Sequence, residues 1–399
     1  MQLTKLNQIF KKFAIFQMKY RFVFIAGIVL LTIVSSFGLK LVQTKSGQGD
    51  FVMQSEQDKH DEAEFQELFG NNETIALLFE ADDVFVPEVL KVVKEIGNEL
   101  LEQVPYADSL TSITDMDITI GTEEGLEVGN PFADGIPDDP DELKNAKDFI
   151  LSRKSIVNKI VSADAKETWV VLALKAYPQS EEGYDSEALL GDGKAAFKVI
   201  NDEKYKSDAY TIKPTGLPYT EMEESEVTGV ETGRTIAISF VCMIILLIVF
   251  SRSFRGTLIP MFSTVMAIVT VFGFMGYFGV TVYTLMLALP VILAMALSVG
   301  YSIHLINSFR HYFYETGDRK DSAIKSVENI GWPLFFTVVT TVTSLLSFYT
   351  TELYPVRWTG GACAATVVAV YIYVSILIPI LLSFGKNKAP EEMKKVKSV

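Results

Sequence analysis

The chain holds little cysteine and little histidine: two Cys, at 242 and 363, and three His, at 60, 304 and 311, among 399 residues. Both cysteines fall inside long apolar runs, so the polar part of the chain has none and a disulfide framework there is excluded. The histidines have no Cys or acidic neighbours at ligand spacing that a membrane topology would allow, which argues against structural zinc, and no metal is expected. No Ser/His/Asp or paired-carboxylate constellation stands out. The string GDGK (Gly191 to Lys194) lacks the earlier Gly and the following Ser/Thr of a phosphate loop, so nucleotide use is not expected. No catalytic residue and no cofactor are expected, and the chain reads as a non-enzyme.

What is there instead is apolar length. Six runs, Phe22 to Val42, Thr235 to Phe250, Thr257 to Phe278, Val282 to Ile306, Trp332 to Tyr349 and Thr359 to Phe384, contain no Asp, Glu or Arg. A hydrocarbon core of roughly 30 Å needs about 20 apolar residues of helix, so the chain is expected to be a polytopic membrane protein. The first run is longer than the core of a signal peptide and follows a long polar segment, and it reads as an uncleaved anchor. The expected organisation is a cytoplasmic segment (1–21), span one (22–42), an extracytoplasmic domain (43–232), spans two to six (233–384) with a cytoplasmic connection at 307–329, and a cytoplasmic tail (385–399).

Charge sets the orientation. Lys5, Lys11, Lys12, Lys19 and Arg21 precede span one, Arg252 and Arg255 separate spans two and three, and Arg310, Arg319, Lys320 and Lys325 separate four and five. Lys386, Lys388, Lys394, Lys395 and Lys397 follow span six. All four groups lie on one side of a six-pass topology, so both termini are expected in the cytoplasm and the membrane is the inner, cytoplasmic one. Between Gln43 and Thr232 there are 42 acidic and 16 basic residues. The negative charge of the protein therefore belongs to the external domain, where acids such as Glu221 to Glu226 read most simply as a solvated surface and otherwise as an attraction for basic partners or cations. The aromatic and basic stretch Asn307 to Asn329 is expected to lie along the inner surface.

The external domain has its own pattern. Asp58 to Phe69 reads as a short amphipathic helix, Glu73 to Glu80 as a strand, and Pro87 to Val104 as a helix with Val89, Leu90, Val93, Ile96, Leu100 and Leu101 at helical spacing. Ala107 to Thr114 is a second strand, and the Gly/Pro/Asp-rich stretch Asp115 to Pro140 an inserted loop. A helix at Asp141 to Val161, the strand Thr168 to Tyr177, a helix at Ser186 to Asn201, the strand Ala209 to Pro214 and an acidic helix Thr220 to Glu231 complete the series. The order β-α-β, insertion, β-α-β is the split, ferredoxin-like one.

These residues resemble a family. One external βαββαβ domain after span one, followed by five clustered spans, is similar to one half of a resistance-nodulation-division (RND) transporter. The likeness is to its lipid- and hydrophobe-exporting, MMPL-like branch, which includes mycobacterial large membrane proteins, hopanoid exporters and Patched-like proteins. Phe65 to Leu90, Tyr106 to Asp115 (YADSLTSITD), Ser251 to Pro260 (SRSFRGTLIP), Ser298 to Phe309 (SVGYSIHLINSF) and Gly331 to Phe348 carry the resemblance. It implies an α-helical bundle in a one-plus-five arrangement with an extracytoplasmic ferredoxin-like porter domain. Family members are usually a repeat of two such halves, so a single copy implies a dimer with an identical or a second half-length chain. Gly273, Gly276 and Gly279 in span three and Gly360 and Gly361 in span six would allow close helix approach, between chains or within one.

The resemblance also locates a coupling position. Proton-driven relatives carry an Asp, often followed by Tyr, in span four, since a carboxylate at membrane depth can exchange a proton between two conformations. The matching residues here are Gly300 and Tyr301, and the acid is absent. The nearest titratable group is His304, read either as an interfacial side chain bonded to a neighbouring helix or as a proton relay. In span five, Thr337, Thr340, Thr341, Thr343 and Ser344 are the expected polar partners, with interhelical hydrogen bonding as their default role.

Two functions stay open. One is a dimeric exporter that moves hydrophobic or lipid-like molecules between the inner membrane and the periplasm, with a periplasmic carrier protein as a further partner and no nucleic acid. The other is a sensor, receptor or assembly factor that keeps the fold without proton coupling. Protein translocation, as in the related Sec accessory subunits, fits the local matches less well.

Overall fold

The computed structural model describes residues 2–45, 60–61, 64–65, 68, 73–122, 125–133, 135–180, 183–184 and 186–387. In chain order the helices are α1 (Gln2–Lys19), α2 (Arg21–Gly38), α3 (Pro87–Gln103), α4 (Pro140–Leu151), α5 (Ser186–Ile200), α6 (Leu217–Ser251), α7 (Phe254–Tyr277), α8 (Ala288–Thr316), α9 (Arg319–Leu346) and α10 (Tyr354–Ser383). Among the described residues six helical stretches are long and apolar enough to cross a membrane: Arg21–Leu41, Leu217–Ser251, Phe254–Tyr277, Thr284–Thr316, Arg319–Thr350 and Tyr354–Ser383. The chain divides into two compact units, Met1–Ser46 with Phe51–Met53 and Thr228–Val399, and Gly47–Asp50 with Gln54–Val227.

In the helical unit α10 is central and packs against α7, α8 and α9. Its Val367, Val370, Tyr373, Val374, Leu377 and Ile378 form a core with Ala294, Tyr301 and Leu305 of α8 and Leu334 and Val338 of α9. The expected glycine approaches occur within the chain. A Cβ on Gly273 would land on the Ser35 carbonyl and one on Gly276 on the Gly38 carbonyl, so α2 and α7 meet backbone to backbone. Gly360 and Gly361 face Leu345, Phe348 and Tyr349 of the same chain, and Gly279 stands at φ +65° in the turn after α7.

Residues 1–21 contain a helix beyond what the sequence suggested: α1 docks on α9, with Lys11 Nζ 3.0 Å from Glu328, and Gln17 Nε2 donating to the Ser375 and Ile376 carbonyls at 3.1 and 2.8 Å. Within 307–329, α8 continues to Thr316, Gly317 turns at φ +67°, and Asp318 caps α9 by accepting from Asp321 N at 2.9 Å. The acidic helix expected at Thr220 to Glu231 is the first part of α6, continuous with the second span, and Glu221 in it is buried rather than solvated.

The basic residues between spans also end helices. Arg310 donates to the Ser251 carbonyl at the end of α6, Arg255 to the Phe384 carbonyl at 2.9 Å, and Arg319 to the Leu382 and Lys386 carbonyls at 3.1 and 3.0 Å, where α10 runs out. Terminal carbonyls have no partner within their own helix, and a guanidinium fork satisfies them with favourable charge. The SRSFRG turn works through Ser253, whose Oγ accepts from Gly256 N at 3.1 Å and starts α7.

The second unit holds a four-stranded sheet of β1 (Thr74–Ala81), β2 (Ala107–Thr111), β3 (Glu167–Leu174) and β4 (Tyr210–Thr215), in the spatial order β2-β3-β1-β4 with every pair antiparallel. Alternation puts Ile75, Leu77 and Phe79 of β1 and Val170, Leu172 and Leu174 of β3 into one core, with Val89, Leu90, Val93, Ile96 and Leu100 of α3 and Leu189, Ala196 and Val199 of α5. The chain order β1-α3-β2, insertion, β3-α5-β4 follows the expected one.

Details differ. The insertion contains an antiparallel hairpin, Ile118–Thr122 with Gly125–Gly129. The helix expected to reach Val161 stops at Leu151, and the chain then turns through Asn158 at φ 61° before Val161 bridges Thr168. Of the helix expected at Asp58 to Phe69, residues 60, 61, 64, 65 and 68 are helical and the others lie outside the described residues. GDGK is helical, inside α5, and its Asp192 is fully buried. The Asp192 carboxylate accepts from the Tyr177 hydroxyl at 2.9 Å and from Tyr106 N at 3.2 Å, and burial, outweighing both bonds, raises its pKa.

Candidate functional site

Gly300, Tyr301 and His304 sit on one stretch of α8 but face different ways. Tyr301 points into the bundle, 3% exposed, its ring 6.4 Å from that of Tyr371, and its hydroxyl has no hydrogen-bond partner among the described residues. Gly300 and His304, four residues apart, lie on the outward side with Ala296 and Asn307, and a Cβ on Gly300 would meet nothing within 4 Å. His304 is exposed. Its helical phase turns it away from the helices of its own chain.

The hydroxyls of α9 behave differently from expectation too. Thr337 Oγ1 donates to the Pro333 carbonyl at 3.0 Å, Thr340 to Phe336 and Thr337 at 3.1 and 2.9 Å, Thr341 to Thr337 at 2.8 Å and Thr343 to Val339 at 2.8 Å. These are bonds back to the helix's own preceding turn, not interhelical ones. Threonine reaches the carbonyl four residues back, which satisfies its hydroxyl in a medium without water. Thr337 and Thr340 remain exposed, so the structure does not bring them together with Tyr301 in one enclosed site.

The polar ties that do cross between helices lie elsewhere. Thr264 of α7 donates to Ser298 of α8 at 2.5 Å, and Thr270 of α7 meets the Tyr373 hydroxyl of α10 at 2.5 Å, with Thr32 of α2 at 3.4 Å from the same hydroxyl. Ser326 of α9 donates to the Leu305 carbonyl at 2.9 Å. Sequence inspection passes over them because isolated hydroxyls in apolar runs look alike until helix rotation is known. The arrangement is a neutral, hydrogen-bonded bundle interior with no carboxylate at the position where the resemblance expects one.

One expectation about metals is corrected. His60, Asp61 and Glu64 have ligand atoms within 4.8 Å of one another, since residues 60 and 64 share a helix face. All three are exposed, as solvated acids commonly are.

Comparison with known proteins agrees with this picture. A membrane protein of Methanocaldococcus jannaschii, MJ1562, is 22% identical over 418 residues, an alignment covering 100% of this chain and 99% of that protein. The MMPL family profile matches residues 87–398, from the first helix of the sheet unit through all five clustered spans, and a match of that extent makes the chain a multi-pass membrane protein of the MMPL family, within the RND group.

Proposed function

We propose that the protein is a half-transporter that pairs with a second RND half, most simply another copy of itself, and moves hydrophobic or lipid-like molecules between the inner membrane and the periplasm. In this reading the one-plus-five bundle lies in the cytoplasmic membrane with both termini inside. The sheet unit is a ferredoxin-like porter domain outside, and a periplasmic carrier exchanges cargo with it. Rocking of two bundles opens and closes a path between them.

The observation that carries the pairing is the outward face of α8 and α9. Gly300 offers open backbone, and His304, Thr337 and Thr340 are exposed on helices that cross a bilayer. An imidazole facing hydrocarbon is costly, and a second chain covers it. Without a carboxylate, His304 is the group on this face able to take and release a proton.

A second reading, a sensor or assembly factor, is favoured by one observation: the hydroxyls of Thr337, Thr340 and Thr341 donate within their own helix rather than toward the α8 position where the resemblance expects an acid. Reconstituting the purified protein in vesicles with a fluorescent amphiphile separates the two. Flux that responds to a pH gradient, and loses that response in His304→Ala, supports transport through the relay. An assembled dimer with no flux under any gradient supports the sensor.

A further inference from the structure

A cavity of about 510 Å³ opens where α1 gives way to α2, lined by Phe16, Tyr20, Val23, Phe24, Gly27 and Ile28. Its origin is local. Tyr20 leaves the helical region at φ −109°, ψ 27°, so the two helices bend apart there, and Gly27 lacks the side chain that would fill the gap. The Phe16 ring is 4.9 Å from Tyr20 and 5.9 Å from Phe24, edge-on to the latter, which fixes one wall. The walls are apolar, yet Phe16 is 52% and Val23 67% exposed.

The rim is cationic. Lys19 Nζ stands 5.2 Å over the ring of Tyr20, and Lys5, Lys12 and Lys19, seven residues apart, share a face of a helix without a single acid. Lys11 pairs with Glu328; among the described residues Lys12 and Lys19 have no ion pair. From Tyr20 to Ile28 the groove runs about 12 Å along α2 at the helical rise. That is a slot for the upper part of one acyl chain, with the Lys19 ammonium beside its Tyr20 wall and Lys12 one helical turn before Phe16.

We propose that this groove is a binding site for an anionic phospholipid, with one acyl chain along Val23, Gly27 and Ile28 against the Phe16–Phe24 wall and the phosphate at Lys12 and Lys19. Apolar complementarity supplies the chain contact and the uncompensated lysines the choice of headgroup. The site rests on the membrane position of α2 and not on transport, so its failure leaves the exporter reading standing.

Native mass spectrometry of the detergent-purified protein, titrated with phosphatidylglycerol or phosphatidylcholine of the same acyl chains, tests it. The wild type is expected to retain phosphatidylglycerol in preference to phosphatidylcholine. Lys12→Gln with Lys19→Gln should cut that preference roughly ten- to thirtyfold. Gly27→Phe, whose side chain projects into open space, should abolish retention at this site with thermal unfolding unchanged. If that variant does not fold, Val23→Trp at a mostly exposed position blocks the same slot. Equal retention of the two lipids by the wild type, or undiminished phosphatidylglycerol retention in a folded groove-filling variant, overturns the proposal.

Discussion

The hydroxyls of Thr270 and Tyr373 lie 2.5 Å apart in the bundle interior and tie α7 to α10. Tyr373 is 3% exposed, and Thr32 of α2 reaches the same oxygen at 3.4 Å, so one phenol joins three spans. Removing the hydroxyl in Tyr373→Phe leaves the ring packed and deletes only its two bonds. Interhelical hydrogen bonds in membranes average about 0.6 kcal/mol, so a loss of about 0.5 to 1.5 kcal/mol is expected in detergent-titrated unfolding, and a loss beyond about 3 kcal/mol contradicts it.

The contact of α2 with α7 is less forgiving. In Gly276→Leu the first side-chain atom falls on the Gly38 carbonyl, which is backbone and cannot turn aside. Overpacking of this kind costs about 1 to 3 kcal/mol, and the variant is expected to unfold at lower denaturant or to come out of the membrane aggregated. Gly229→Ala on α6, where nothing lies within 4 Å, serves as the silent control.

Gly300→Leu separates folding from pairing. A Cβ at this position meets nothing within 4 Å, so unfolding is expected within about 0.5 kcal/mol of wild type. If the α8 face meets a second copy, the same change splits the dimer. Light scattering on the detergent-solubilised protein reads this, and an undisturbed dimer places the contact on another face.

Arg319 holds the end of α10 through the Leu382 and Lys386 carbonyls while its guanidinium lies 4.7 Å from the Phe313 ring centroid. A lysine has the charge without the fork. Arg319→Lys is expected to cost about 1.5 to 3 kcal/mol and to raise hydrogen exchange in the last turn of α10, with the other spans unaffected.

Asp192 makes the sheet unit pH-dependent. Burial raises its folded pKa above the ordinary 3.8, so the folded chain binds this proton more tightly than the unfolded one. Its stability contribution is greatest below 3.8 and declines as pH rises through the raised value. The stability difference between Asp192→Asn and wild type should therefore shift in favour of the variant as pH rises from below 3.8 through the raised value, as read by hydrogen exchange in α5. A difference independent of pH removes Asp192 as the cause.

The amino-acid sequence by itself determined the six spans, the order of strands and helices in the sheet unit and the family. All three are written in local periodicity: about 20 apolar residues for a bilayer, alternation in Thr74–Ala81, and helical spacing from Val89 to Leu100. Tertiary structure alone decided which way each residue faces. His304 and Tyr301 are three positions apart, yet one is exposed and the other enclosed. The α9 threonines and the α7 hydroxyls have the same chemistry, yet Thr337, Thr340, Thr341 and Thr343 bond back to their own helix while Thr264 and Thr270 also meet hydroxyls of neighbouring helices. An apolar run has nearly the same hydropathy on every side, so helix rotation is set by packing between spans, and only the packed bundle fixes it.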